Sequence, residues 1–193
     1  MSLRIKVILA SVREGRFGAH VAPWFMEHAN AVKGVTFELV DLKEYQLPMF
    51  AEKVSPAYVP GDYGKPEVDR WAKVIAEADG FVMITPEYNH GYPSSLKNNI
   101  DYLAKEWNKK AIGFVGYGST GGARVIQQLR SVSTELQMAP IRASVHIMNP
   151  WFMTEADGSL KPGALAPYDA SATAMIEQLV WWATALKNAR EQK

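Results

Sequence analysis

Three stretches of this chain concentrate residues able to hold or transform a ligand. The first, Thr85 to Pro93, carries the carboxylate of Glu87, the amide of Asn89, two prolines, and three rings that each bear a polar atom, Tyr88, His90 and Tyr92. That mixture suits the edge and face of a flat heteroaromatic ring, although Tyr88 and Tyr92 could equally be packing residues. The second, Ala10 to Gly18, offers the hydroxyl of Ser11, the guanidinium groups of Arg13 and Arg16, and two glycines, and it runs into a helix. A helix N-terminus presents free N–H groups and the positive end of the helix dipole, which together with two arginines suits a phosphate dianion. The plainer alternative is a solvated turn with two surface arginines. The third, Gly116 to Arg124, has four glycines in the seven residues 116–122. These either let the backbone approach a ligand closely or only make a tight turn into a helix.

Other chemistries find little support. The glycine spacing of the phosphate loop of nucleotide hydrolases is absent, as is the glycine triplet of a dinucleotide-binding turn. With no cysteine, disulfides, thiolate nucleophiles and cysteine-ligated clusters are excluded. Among the four histidines, at 20, 28, 90 and 146, no two have metal-ligand spacing with a carboxylate, so no metal is expected. Glu87 has no second carboxylate near it in sequence with which to form an acid–base pair. The formal net charge is +1, from 21 basic and 20 acidic side chains, and gives no reason to expect nucleic acid or an anionic membrane as partner. No run approaches the length of a membrane-spanning helix, and the first residues enter a strand-like run rather than a signal peptide. A cytoplasmic location is the default expectation.

The elements that must position these stretches are legible from periodicity. Short apolar runs at Ile5–Ala10, Val35–Val40, Phe81–Thr85, Ala111–Tyr117 and Ile141–Met148 read as strands. Between them lie helical patterns at Ala19–Asn30, Glu67–Glu77, Leu96–Lys105 (entered from Ser94) and Gly121–Leu136, and a last helix spans about Ser171–Arg190. The first helix shows Val21, Ala22, Phe25 and Ala29 on one face; the fourth shows Val125, Leu129, Val132 and Leu136. Residues 41–65 contain three prolines and two glycines and are expected to form a long irregular connection serving function or an interface. Five strands alternating with five helices predict a single α/β domain over 1–193, a parallel sheet covered on both faces with right-handed crossovers. In the doubly wound order 2-1-3-4-5 the three stretches follow strands one, three and four. They would then meet at the carboxyl edge, where strands one and three flank the switch point that binds a mononucleotide. Trp107, Trp151, Phe152, Trp181 and Trp182 are assigned mostly to core or interface, with one of Trp181 and Trp182 expected to pack on the sheet and the other on a neighbouring element or subunit.

With these motifs in place, the sequence resembles the NADPH-dependent FMN reductase family, a branch of the flavodoxin-like fold. The matching residues are Ser11, Arg13, Arg16 and Gly18; Pro86 through Pro93; Leu96-Lys97-Asn98 with Ile100-Asp101; and Tyr117-Gly118-Ser119 with Gly121-Gly122. The resemblance implies bound FMN, with NADPH or NADH as co-substrate. It implies that Ser11, Arg13, Arg16, Phe17 and Gly18 hold the ribityl phosphate. Pro86, Glu87, Tyr88 and Asn89 would line the isoalloxazine, largely through backbone atoms, and Tyr117, Gly118 and Ser119 would close its other side. Many relatives carry a serine in place of Arg16 and an asparagine in place of Gly18. The implied activity is ping-pong electron transfer from NAD(P)H to flavin, quinone or a similar small acceptor, with no dedicated catalytic acid or base. The alternative is a flavodoxin-like electron carrier, which is usually strongly acidic, unlike this chain. The resemblance also implies a homodimer or homotetramer, with Tyr92, Lys97 and Asp101 as candidate intersubunit residues.

Overall fold

The three central strands are apolar on both faces because helices cover both. In the computed structural model, which describes residues 2–192, β1 (Leu3–Leu9), β3 (Gly80–Pro86) and β4 (Ala111–Gly118) are buried almost throughout. The outer strands β2 (Val35–Asp41) and β5 (Ala139–Met148) alternate buried with more open positions, as strands at sheet edges do. All neighbours pair in parallel in the order β2-β1-β3-β4-β5. The predicted α/β architecture and strand order are therefore present.

Two apolar layers flank the sheet. On one face, α1 (Gly18–Asn30) and α5 (Asp169–Glu191) cover Val7, Val82 and Val115 with Val21, Phe25, Met175 and Leu179. On the other, α2 (Pro66–Ala76), α3 (Ser94–Asp101) and α4 (Ala123–Glu135) cover Ile8, Met83 and Phe114 with Trp71, Ile100 and Leu129. Trp71 and Trp107 are fully buried there, and burying a side chain of that size contributes at least about 2–3 kcal/mol. Trp107 thus takes the core position expected of it.

Trp181 and Trp182 do not. They are 65% and 40% exposed, stacked edge-to-face on the outer side of α5, while Ala172, Met175, Ile176, Leu179 and Ala183 form its buried stripe. That stripe follows helical spacing and leaves both tryptophans off the sheet. α3 is also shorter than its sequence pattern, ending at Asp101, after which Tyr102 and Leu103 turn into the core.

The connection 41–65 is strapped onto α3 by two amides. Asn98 Nδ2 donates to Pro48 O at 2.8 Å, its Oδ1 accepts from Phe50 N at 2.8 Å, and Asn99 Nδ2 donates to Tyr45 O at 2.8 Å. Ser95 Oγ donates to Ala10 O at 2.9 Å and fixes the start of α3 against the end of β1. No helix among the described residues is long and apolar enough to cross a membrane.

Candidate functional site

The β1–α1 loop is built to expose backbone donors. Gly15 takes a left-handed φ of +61°, and the chain enters α1 without a capping side chain. Among the described residues, the N–H groups of Val12, Glu14, Gly15 and Phe17 find no protein acceptor. Arg13 is exposed and makes no ion pair among the described residues; its guanidinium lies 5.9 Å from the Tyr88 ring centroid. An anion placed here would meet free N–H groups, the positive end of a 13-residue helix and one uncommitted cation.

Arg16, expected beside Arg13 as a phosphate ligand, is placed differently. Both its Nη atoms bond the two oxygens of Asp41 at the end of β2, and one also donates to Ser11 O. Burial works against the charge on Asp41, but the hydrogen bonds from Arg16 and from the Lys43 N–H, with the Arg16 charge, hold its carboxyl below the usual range. Paired in this fork-to-fork way, Arg16 braces the loop against β2 rather than facing a ligand. Phe17 is also turned inward, its ring 5.6 Å from that of Tyr117 in the core. Gly18 is needed for close packing. A Cβ there would sit 2.7 Å from Leu9 Cδ1 and 2.8 Å from the Tyr117 hydroxyl.

The β3–α3 loop meets this one directly, since Ser11 Oγ and the Tyr88 hydroxyl lie 2.8 Å apart. Tyr88 and Gly91 exchange both backbone hydrogen bonds at 2.9 Å around Asn89 (φ +48°) and His90 (φ +69°). Two successive left-handed residues make a tight turn of the primed type, for which asparagine is well suited and histidine less so. Among the described residues, the N–H groups of Asn89 and His90 in this turn have no protein acceptor.

Glu87 has a structural task. Its N–H donates to Tyr117 O at 2.9 Å, and its carboxylate accepts from Arg124 Nε at 2.7 Å, Arg124 N at 3.0 Å and Val125 N at 3.4 Å. It therefore caps α4 from outside that helix. Burial raises its pKa, but the bonds from Arg124 and Val125 and the guanidinium charge outweigh this and hold the carboxyl below its ordinary value.

The β4–α4 glycines, read from sequence as possible points of ligand approach, are occupied by protein. A Cβ on Gly122 would meet Gly116 Cα and Tyr117 N at 2.8 Å; one on Gly121 would meet His146 Cβ at 2.8 Å; one on Gly118 would meet Glu87 Cβ at 3.2 Å. Their small size lets α4 start against β4. What the loop leaves open, among the described residues, is the N–H groups of Ser119 and Thr120. Tyr117 is 5% exposed, its hydroxyl donates to no group among the described residues, and burial raises its pKa, so the phenol underlies the site as a neutral core residue.

Ser11, Arg13, Pro86, Tyr88, Asn89, Gly118 and Ser119 thus converge at the carboxyl edge. The arrangement fits FMN. The open amides and Arg13 at the β1–α1 loop suit its phosphate, and the open amides of Asn89, His90, Ser119 and Thr120 suit the carbonyl and nitrogen edge of its ring system. Sequence reasoning missed Asp41, which holds Arg16, and Arg124, which holds Glu87.

A family model described as NADPH-dependent FMN reductase matches residues 3–151. The chain is 39% identical over 135 residues to an NAD(P)H-dependent FMN reductase of Schizosaccharomyces pombe, covering 70% of this chain and 68% of that one. It is 31% identical over 138 residues to a quinone reductase of Escherichia coli K12, covering 67% and 69%. The solved structure of the Paracoccus denitrificans flavoenzyme NAD(P)H:(acceptor) oxidoreductase FerB superposes with a TM-score of 0.69 at 20% identity, covering 93% of this chain and 98% of that one.

Proposed function

The chain belongs to the NADPH-dependent FMN reductase family and is an FMN-dependent NAD(P)H oxidoreductase, and we propose that it works by two separate half-reactions with a quinone-class oxidant. The net reaction is NAD(P)H + H⁺ + quinone → NAD(P)⁺ + hydroquinone. Bound FMN supplies the chemistry by taking a hydride from NAD(P)H and passing the electrons on. The likeness to a quinone reductase supports the choice of oxidant.

The residues divide into holders and braces. Arg13 and the N–H groups of Val12, Glu14, Gly15 and Phe17 would hold the phosphate. Ser11, Arg16 and Asp41 fix the loop that presents them. The backbone of Pro86, Glu87, Tyr88 and Asn89 borders one edge of the ring system and that of Gly118 and Ser119 the other. N–H groups aimed at that edge would stabilise negative charge developing there on reduction.

The observation that carries this reading is the convergence of uncommitted amides and Arg13 at the β1/β3 switch point. Its test is equilibrium titration of the flavin-free protein with FMN and with riboflavin. Arg13→Ala should weaken FMN about tenfold or more and leave riboflavin nearly unchanged, because only FMN carries the phosphate. Equal losses for the two ligands would remove Arg13 from the phosphate site.

Assembly into a homodimer or homotetramer is part of the reading. It is supported by the exposed apolar residues Met49 and Tyr58 on the connection beside α3. A cytoplasmic location is part of it too, since NAD(P)H is an intracellular metabolite. Sedimentation at micromolar concentration decides the first; a monomer would contradict it.

A further inference from the structure

The segment after β5 presents two aromatic rings that no part of the fold uses. Trp151 is 54% exposed and Phe152 is 71% exposed, packed edge-to-face with ring centroids 6.0 Å apart, and Met148 beside them is 44% exposed. Keeping that much apolar surface in water is unfavourable, and a contiguous exposed patch usually marks a contact site.

Their exposure does not come from a loose loop. Pro150 is buried, Phe152 N and Met153 N close a 3₁₀ turn onto Asn149 O and Pro150 O, and Lys161 Nζ donates to Phe152 O at 3.0 Å. Thr154 and Leu160 bridge across the following hairpin, and His20 Nε2 bonds Gly158 O at 3.0 Å, anchoring that hairpin to the first turn of α1. The backbone that carries the two rings, whose planes lie 64° apart, is thus held in place.

Their position joins them to the flavin site. Met148 pairs with Gly118 in the sheet, and Asn149, in a left-handed conformation (φ +49°), donates its N–H to Gly118 O at 2.9 Å. Trp151 therefore stands two residues from a backbone bonded to the ring-edge loop 117–120. The same segment carries the exposed carboxylates of Glu155 and Asp157, while its one amine, on Lys161, is committed to Phe152 O. With two carboxylates against one ammonium, the net charge of the segment favours an uncharged planar molecule over a polyanionic dinucleotide. The arginine that suits anions, Arg13, lies on the β1–α1 loop instead.

We propose that Trp151 and Phe152 form the platform that receives the flat aromatic oxidant, so that this pair sets acceptor specificity for the oxidative half-reaction. This rests on the FMN-reductase reading above. Offset or edge-to-face contact with a quinone ring is the interaction such a pair supplies.

The test separates the half-reactions in the FMN-loaded protein by rapid mixing. Trp151→Ala/Phe152→Ala should reduce the rate of flavin reoxidation by a dilute naphthoquinone about tenfold, the scale of losing apolar contact area in a binding pocket. Flavin bleaching by NADPH and reoxidation by ferricyanide, which has no ring, should stay unchanged. Trp151→Phe/Phe152→Tyr should restore most of the quinone rate, which also controls for damage to the turn. Unchanged quinone reoxidation in the double alanine variant would overturn the proposal, as would an equal loss with ferricyanide. A change of sedimentation coefficient would assign the pair to a subunit interface and likewise overturn it. Failure of the parent protein to bleach with NADPH would instead refute the functional reading, so the two failures are distinguishable.

Discussion

Gly18→Ala is a sensitive probe of how the phosphate loop is seated on the core. The added methyl would lie 2.7 Å from Leu9 Cδ1 and 2.8 Å from the Tyr117 hydroxyl, against an optimal separation of about 3.5–4.0 Å. Both neighbours are held, Leu9 at 2% exposure and Tyr117 at 5%, so neither can swing into solvent. Overpacking of this kind costs about 1–3 kcal/mol, whereas the better helix propensity of alanine returns at most about 1 kcal/mol, and less at a first helical position. A net loss of about 1–2 kcal/mol follows, or roughly 2–8 °C in Tm for a chain of this size. Tyr117→Phe supplies the control. It deletes a buried hydroxyl that has no partner, so alone it should be neutral or stabilising, and in combination it should remove half of the clash. Urea unfolding of the four flavin-free proteins measures the coupling, expected at about 0.5 kcal/mol or more. A Gly18→Ala protein as stable as the parent, or strictly additive effects, would refute this packing.

Other expectations follow from the braces. Arg16→Ala and Asp41→Ala should weaken FMN binding by similar factors, with the double variant no worse than either, because they act as one unit; additive losses would return Arg16 to the phosphate. Glu87→Gln should destabilise the fold at neutral pH by about 1–3 kcal/mol, measured by denaturant unfolding. Since the Glu87 pKa is lowered in the folded state, its contribution is present above the unfolded value near 4.5 and is lost as pH falls through the folded value; parent and variant should therefore converge in acid, and a constant gap would contradict the assignment. His90→Gly, which places Asn-Gly in the primed turn, should stabilise by up to about 1 kcal/mol in thermal unfolding; a loss of stability would contradict the strain assigned to φ +69°.

What was legible in the sequence and what was not divides along physical lines. The buried parallel strands announce themselves because both faces are covered, so Phe81–Thr85 and Ala111–Tyr117 read as unbroken apolar runs. The meeting of three loops follows from strand order, which the alternation of elements already constrains. Side-chain direction is harder. Arg16 and Arg13 look alike in a loop, and only the position of Asp41, 25 residues on, distinguishes a brace from a free cation. The glycines at 116–122 carry the same letter whether a ligand or Tyr117 N lies against them. Asn98 and Asn99 strap the 41–65 connection through partners 50 and 54 residues away, which nothing in their own stretch announces. Neither Trp181 nor Trp182 packs on the sheet, because two residues a hundred degrees apart can both lie outside a narrow stripe of Ala, Met, Ile and Leu.

The central claim is that FMN bound at the β1/β3 switch point takes electrons from a nicotinamide and gives them to a small oxidant. Anaerobic mixing of the FMN-loaded protein with NADPH, followed by a quinone, measures this directly. The oxidised-flavin absorbance should disappear with the first addition and return with the second, with one hydroquinone formed per flavin. A protein that takes up no FMN, or whose flavin absorbance is unmoved by both NADPH and NADH, would contradict it.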